Sequence, residues 1–227
     1  VLPTIVSRCQ VVPFRHIPAQ EAAGILSQKV GVTPERARMA IEACDGSITQ
    51  AISFAKSSER TEFRARVMEV LAGLAVADAR DVLEYAAELI ERAKAPLDNV
   101  RTEQSEELAE SADFLTKTAI RQIELRHKRA LTQATRTSLK QMTAIIRSWL
   151  RDVLMVVSGT PELMVNIDQR SAVEAAAARV NVEGLMRALR EAYKTDEALS
   201  YNVSPETCLD TLLFTIREVL HGSGNTY

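Results

Sequence analysis

Two aspartates are the first side chains whose spacing could support chemistry. Asp78 and Asp81 are three residues apart, so on a helix they would face the same side and could together ligate a cation. They also fall in the first turn of a predicted helix, where carboxylates complement the positive end of the helix dipole. We favour the helix-end interpretation, because acidic residues are common at that position without any metal.

A run of basic residues is the second such feature. Between Leu115 and Arg151, nine Lys and Arg residues are opposed by Glu124 alone, a net charge of +8, and residues 103–113 just before them carry five acids. The run is either a solvated face partly paired with that acidic segment, or an electrostatic docking surface for nucleic acid or an acidic partner. No aromatic residue lies within the candidate face, which weakens a platform for stacking single-stranded bases. The face consists of Lys117, Arg121, Arg126, Lys128, Arg129, Arg136 and Lys140.

The sequence lacks the motifs that place a nucleophile, a phosphate loop or a catalytic metal. GxxxxGK(S/T), GxSxG, HExxH and GxGxxG are all absent. Cys9, Cys44 and Cys208 are scattered without a CxxC pair, and the three histidines are far apart. We therefore expect no cofactor, metal site or disulfide framework. The residues alone predict a helical assembly module, since a metal-dependent enzyme would rest on two aspartates only.

Composition bounds the class of protein. The chain has 227 residues, of which 46% are apolar and 26% charged, enough for one or two domains with a real core. A net charge of -2 argues against a general nucleic-acid binder but leaves room for a local basic patch. No apolar run approaches the roughly 18–20 residues of a membrane span, and Val1–Thr4 does not resemble a signal peptide. We expect a cytoplasmic protein whose sequence here starts at an internal cut point.

Helix signals divide the chain into a short and a long part, and no stretch predicts a sheet. Residues 1–17 contain Pro3 and Pro13, are followed by Pro18, and predict an extended segment. Three short helices follow, over about 19–30, 34–44 and 48–56, with caps predicted at Thr33 and Ser47. Ser57-Ser58 is interpreted as a hinge.

Longer helices fill the rest of the chain. Apolar spacing predicts one over about 63–74, and others over 78–94, 103–133, from 137 or 138 to 157, and from 168 or 171 to 199. Ser204-Pro205 is a strong start signal for the last helix. The fold class is therefore all-α, and residues 223–227 are expected to be a disordered tail.

The N-terminal residues carry a resemblance to a known family. Leu2–Gln10 contains Pro-Thr-Ile-Val-Ser-Arg-Cys, which resembles the end of the nucleotide-binding core in the clamp-loader ATPases. In that family the Arg of the Ser-Arg-Cys triplet is an arginine finger for ATP bound on a neighbouring subunit. The resemblance implies that role for Arg8, flanked by Ser7 and Cys9, and a guanidinium fork suits phosphate oxygens.

The three short helices resemble the lid that follows this core. The third lid helix of ATP-binding members opens with Gly-Ser-x-Arg, where the Arg senses nucleotide. This chain has Gly46-Ser47-Ile48-Thr49, so Thr49 stands at the position of that cation. The departure favours the delta-prime family of bacterial DNA polymerase III clamp-loader subunits, which does not hydrolyse ATP, over an ATP-binding gamma/tau subunit.

Two later stretches resemble the delta-prime collar, the helical domain that closes subunits into a ring. They are Ser148–Leu154 with Val165–Asp168, and Leu199–Pro205. The resemblance implies that residues 1–58 are the end of the core plus the lid, and that 59–222 are the collar. It also implies gamma/tau and delta subunits, the sliding clamp and primed DNA as partners in replication. A helical DNA-binding or regulatory module remains the alternative from another class.

The last predicted helix is apolar on nearly two sides. Because such a helix is buried on two sides, one side should pack on the collar core and the other could meet a neighbouring subunit, although a wholly internal helix remains open. The candidate interface positions are Leu209, Leu213, Phe214 and Val219.

Overall fold

The computed structural model describes residues 8, 10, 17–111, 114–201 and 203–221, and it confirms the predicted all-α class: this part of the chain contains ten α-helices and no strand. Most of the predicted N-terminal extended segment and the predicted tail at 223–227 lie outside the described residues. Short 3-10 turns occupy Pro161–Leu163 and Ile167–Gln169. The helices are α1 (Ala19–Val30), α2 (Pro34–Ala43), α3 (Ile48–Lys56), α4 (Ser58–Gly73), α5 (Ala79–Lys94), α6 (Pro96–Ser111), α7 (Lys117–Val157), α8 (Arg170–Ala177), α9 (Val182–Ala198) and α10 (Pro205–Leu220).

Side-chain caps begin several of these helices where the sequence predicts them. The hydroxyls of Thr33, Ser47 and Ser204 accept hydrogen bonds from the backbone N–H groups three residues later, at the starts of α2, α3 and α10. Such caps satisfy donors that have no partner within the helix.

The two aspartates at the start of α5 form a capping box. The Asp78 carboxylate accepts hydrogen bonds from the N–H groups of Arg80 and Asp81 at 2.7 and 2.9 Å, and Asp81 accepts from the Asp78 N–H at 2.8 Å. The helix-end interpretation is therefore confirmed for this pair. Among the described residues, no group of three or more His, Cys, Asp or Glu side chains could hold a metal ion.

The helix boundary predicted near residues 133–138 is wrong. α6 ends at Ser111, and α7 then runs unbroken for 41 residues from Lys117 to Val157. Neither Gly nor Pro occurs within α7, so no residue of the kind that breaks or kinks a helix interrupts it. The hydroxyls of Thr135 and Thr137 donate to the carbonyls four residues earlier, so both residues are accommodated within the helix. Thr116 caps the true start by accepting from the Ala119 N–H.

The single helix predicted from residue 168 or 171 to 199 is also wrong. α8 ends at Ala177, and α9 begins after Asn181, whose side chain accepts a 2.7 Å hydrogen bond from the Gly184 N–H. An Asn at this position competes with helix continuation by capping a new helix instead.

The second half of α7 is the centre of the core. Thr143, Ala144, Ile145 and Ile146 are each at most 4% exposed, and as four consecutive residues of a helix they point to all of its sides. α7 packs on α2, α4, α5, α6, α8 and α9, whereas α10 packs on α5 and α9 at one side of the assembly. A helix buried on all sides must have partners all round, which explains its dense apolar sequence here.

The three short helices α1–α3 form a unit with its own apolar contacts. Leu26, Ala37, Ile41 and Phe54 are buried among them. Ser57 ends α3 and also caps α4, accepting from the Arg60 N–H at 3.2 Å. One residue therefore joins the two helices, and the hinge stays a prediction.

A buried polar network ties the chain after α7 back onto that helix. Asp152 is fully buried, and its carboxylate accepts hydrogen bonds from the backbone N–H groups of Val165 and Asn166 at 3.0 and 2.7 Å. The Asn166 side-chain amide donates to the same carboxylate at 2.8 Å and to the Ser148 hydroxyl at 2.9 Å. Every polar group of this turn thus has a partner, which a buried network requires.

Arg64 of α4 extends the network to a second helix. It is 3% exposed, and it donates to the Asn166 side-chain oxygen at 2.6 Å and to both carboxylate oxygens of Asp168 at 2.8 and 3.0 Å. Burial alone would raise the pKa of Asp168, but the hydrogen bonds and charge of Arg64 outweigh it and lower that pKa below its ordinary value. The two terminal nitrogens of the Arg64 guanidinium each donate to one oxygen of the Asp168 carboxylate, so the pair is bidentate.

Removing the Asp152 carboxylate should destabilise the whole chain. Asp152→Ala leaves three buried N–H bonds without this acceptor, so the free energy of unfolding should fall by about 3 kcal/mol. Asp152→Asn, which keeps one oxygen, should lose less. Urea denaturation followed by circular dichroism measures the free energy of unfolding of both variants. The control is Glu162→Ala, an exposed position, whose free energy of unfolding should stay within about 0.5 kcal/mol of wild type. A loss below about 1 kcal/mol for Asp152→Ala would contradict the network's role.

The Arg64–Asp168 pair should give stability that depends on acid pH. Because the folded pKa of Asp168 lies below its unfolded value of about 3.9, its stabilisation is complete above that value and is lost as pH falls through the folded pKa. Asp168→Asn should therefore be less stable than wild type at pH 6, and the difference should shrink below about pH 4.

Asp210→Asn is a control for which the expected change in stability at pH 6 has the opposite sign. Burial first, and then the charge of Glu206, raise the pKa of Asp210, so removing its carboxylate should stabilise the chain at pH 6. Thermal melts of the three proteins between pH 3 and 6 test both expected changes in stability. If the melting temperatures of Asp168→Asn and wild type changed in parallel with pH, ionisation of Asp168 would not contribute to stability.

Candidate functional site

The predicted arginine finger lies at the edge of the described chain. Arg8 is exposed and sits in a turn, whereas Ser7 and Cys9 of the same triplet lie outside the described residues. An exposed guanidinium is open to a partner, and the role of Arg8 remains a prediction.

The position of the predicted nucleotide sensor is at the start of α3. Asp45 and Gly46 have positive φ values of 51° and 81° and turn the chain into the helix, where Ser47 provides the cap. Thr49 follows in the first turn and is exposed, with a hydroxyl but no charge. This surface therefore presents no cation at the place where the ATP-binding pattern has one.

Ion pairs join the three-helix unit to α7. Arg151 contacts Glu42 of α2 at 2.9 Å, and Arg147 lies 3.2 Å from Asp45 and 3.4 Å from Asp196 of α9. The Arg147 guanidinium also lies 5.0 Å from the ring centroid of Tyr193, within cation–π range.

Two further hydrogen bonds, both to neutral acceptors, reinforce the same junction. Gln141 donates a 3.2 Å hydrogen bond to the buried Cys44 sulfur, and Arg38 donates to the Leu163 carbonyl at 3.2 Å. Burial raises the pKa of Cys44 to about 11, which keeps it a thiol at neutral pH and a poor nucleophile. The junction is therefore a structural seam without a reactive group.

The seam shows the partners of two residues of the basic run. Arg147 and Arg151 pair with acidic residues on α2, on α9 and in the turn before α3. Pairing of the other basic residues with residues 103–113 stays a prediction. The side chains of most acids in that segment lie outside the described residues, and Glu106 is exposed.

The remaining basic residues line the first half of α7. Six of the seven candidates are exposed, and Arg136 is half-buried and engaged within the chain. On another side of the helix, Ala130 and Ala134 contribute to a groove shared with Leu97 and Val100 of α6. The packing of α6 thus leaves the basic side uncovered within the described chain.

The predicted interface on α10 is mostly internal. Leu209, Leu213 and Val219 are 1%, 0% and 6% exposed and belong to the core, while Phe214 is half-buried against it. Of these four positions, Phe214 is the one with surface left for a neighbour, so a partner contact there stays a prediction.

Exposed apolar side chains gather on α9 instead. Val182, Met186 and Tyr193 are 50%, 39% and 62% exposed, and their spacing puts them on one side of the helix. The spacing of these residues was visible in the sequence, but their exposure depends on how α9 packs on α7 and α10.

Arg64 is a residue that sequence reasoning missed. It lies three residues before Val67 and seven before Leu71, on the apolar stripe of α4. A charged residue on a buried stripe must have a buried partner, and this signal was present in the sequence.

An apolar groove with a volume of about 540 Å³ lies between α4, α5, α6 and α7. Its titratable lining residues are Glu59, Arg60 and Arg92, which do not form a nucleophile–base pair. Within the described residues, no helix combines the length and hydropathy needed to cross a membrane.

Comparison with known proteins gives one match. Residues 106–217 match the family model described as DNA polymerase III, delta subunit, C terminal. No curated protein and no solved structure matches the chain. The matched range runs from the end of α6 through most of α10 and includes the Asp152 network and the basic half of α7. This match supports the assignment of residues 106–217 as the C-terminal domain of a DNA polymerase III clamp-loader subunit.

Proposed function

We propose that this chain is the lid and collar part of a delta-prime-type clamp-loader subunit, which helps assemble the complex that loads the sliding clamp onto primed DNA. The observation that carries the clamp-loader part of the proposal is the family match over residues 106–217, and the description of that family names the delta subunit. The three-helix unit, at the place of the family's lid, is joined to the same domain through α7. Its work takes place in the cytoplasm.

The delta-prime assignment is supported by the residues around Thr49. A nucleotide sensor needs a cation within reach of a phosphate, and an exposed Thr hydroxyl cannot supply it. This feature favours a subunit that does not hydrolyse ATP over the gamma/tau type.

Arg8 is proposed to act on a neighbour's nucleotide. Its exposure leaves the guanidinium free to reach across a subunit boundary. Phosphoryl transfer builds negative charge on the transferred group, and a planar fork of donors stabilises it. The partners in this role are gamma/tau and delta subunits, whose ring would be closed by the collar.

The chain alone should not bind nucleotide. Isothermal titration with magnesium-ATP should show no heat of binding at micromolar protein, because neither a phosphate loop nor a sensor cation is present. Thr49→Arg should behave identically, since a single cation cannot replace the loop. A micromolar dissociation constant for the unmodified chain would contradict this assignment.

Arg8→Ala should weaken ATP hydrolysis without weakening assembly. In full-length protein reconstituted with its partner subunits, the neighbouring ATP site should lose about 10³-fold or more in rate, so total DNA-stimulated hydrolysis falls by that site's share. Size-exclusion chromatography should show an intact complex, because the collar holds the ring.

Two variants make the result specific to the guanidinium. Arg8→Lys should also lose ATP hydrolysis at the neighbouring site, since the point charge of an ammonium group cannot replace the bidentate guanidinium. Arg36→Ala, which removes an exposed cation from α2, should hydrolyse ATP at the wild-type rate. An unchanged rate for Arg8→Ala would show that Arg8 is not a finger.

A further inference from the structure

We propose that the exposed basic side of α7 binds the phosphate backbone of double-stranded DNA. We call this surface the basic face and define it as Lys117, Arg121, Arg126, Lys128, Arg129 and Lys140. All six side chains are exposed on one continuous helix. The proposal goes beyond clamp-loader assembly and can be tested without any partner subunit.

The cations form two rows along the helix. At 100° per residue, Lys117, Arg121 and Lys128 fall within about 40° of one another, and Arg126, Arg129 and Lys140 form a second row about a third of a turn away. From Lys117 to Lys140 the face spans about 35 Å, close to one turn of B-form DNA. A face of this length can therefore contact phosphates about one helical turn apart on the same duplex.

These charges are available to a ligand. Among the described residues, none of the six side chains makes an ion pair or a hydrogen bond, whereas Arg147 and Arg151 farther along the same helix are paired. Glu124 lies beside the first row and is also without an ion-pair partner in the described part. The second row is therefore the stronger attraction for an anion.

The chemistry of the face favours nucleic acid over an acidic protein. Protein interfaces depend on a buried apolar centre with large anchoring side chains. Between Lys117 and Lys140, Leu125 is the one large apolar side chain exposed in the described structure, at 47%. Phosphate binding requires only Lys and Arg, and its affinity comes from the release of counterions.

The residue composition of the basic face also favours double-stranded over single-stranded DNA. Single-strand binding surfaces stack successive bases on aromatic side chains. α7 carries no aromatic residue before Trp149, which is fully buried, and Phe114 ahead of the helix is a single exposed ring. α6 packs on the apolar side of α7 and holds the helix that carries the basic face in place. The backbone therefore does not have to become ordered on binding, and the entropic cost of binding is smaller.

Fluorescence anisotropy with a labelled 30-base-pair duplex of arbitrary sequence tests the proposal on this chain. Binding should be measurable at 50 mM NaCl, and the logarithm of the association constant should fall with the logarithm of salt with a slope of about -3 to -5, as four to six phosphate contacts imply. The triple variant Arg126→Gln, Arg129→Gln, Lys140→Gln should bind at least about tenfold more weakly, with a slope smaller by about 2 to 3.

A second triple variant provides a control with the same change of charge. Lys29→Gln, Arg36→Gln, Lys56→Gln removes three exposed cations from the three-helix unit and should bind within about twofold of wild type. Circular dichroism melts of both variants verify the fold.

Several outcomes would overturn the proposal. They are no binding at 50 mM NaCl, equal losses in the two triple variants, tighter binding of a 30-nucleotide single strand, and displacement of the duplex by polyglutamate at equal charge concentration. The last would identify an acidic polypeptide as the better ligand. None of them bears on the clamp-loader assignment, because neither ATP nor a partner subunit is present.

Discussion

The buried carboxylate of Asp152 is the constraint on which much of this structure depends. It accepts two backbone N–H groups and one side-chain amide from Val165 and Asn166, and so fixes how the chain returns after α7 ends. Asn166 and Asp168 are in turn held by Arg64 of α4. Because Asp152, Asn166 and Arg64 are buried, each of them needs its hydrogen-bond partners within the protein. The short turn thus determines where α8, and through it α9, can pack.

This network also gives a physical meaning to the collar resemblance. The stretches that resemble the family, Ser148–Leu154 and Val165–Asp168, are the two sides of the network: one supplies Ser148 and Asp152, the other Asn166 and Asp168. Ser148, Asp152 and Asn166 interact with each other in the interior, whereas Asp168 keeps part of its side chain exposed beside Arg64. The same resemblance therefore supports a shared fold more directly than it supports a shared binding surface.

Local signals were predictable from the sequence, and long-range ones were not. Thr33, Ser47 and Ser204 start helices through contacts with residues three positions away, so the sequence suffices to place them. Arg147 meets residues more than 40 positions away in two directions, and which surface of α10 faces inward depends on α5 and α9. The prediction of one helix across α8 and α9 was wrong for a related reason. Asn181 can either continue a helix or cap a new one, and packing decides between the two.

The unbroken length of α7 has a mechanical consequence. At 1.5 Å per residue its 41 residues form a rod about 60 Å long, and Lys117 lies about 45 Å from Arg147 at the seam with the three-helix unit. A tilt of about 5° at the seam would therefore displace the far end by about 4 Å, more than the reach of a hydrogen bond. A rod without Gly or Pro has no weak point at which to absorb that tilt. Small adjustments where α2 meets α7 would thus be amplified at the distant tip, as at the end of a lever.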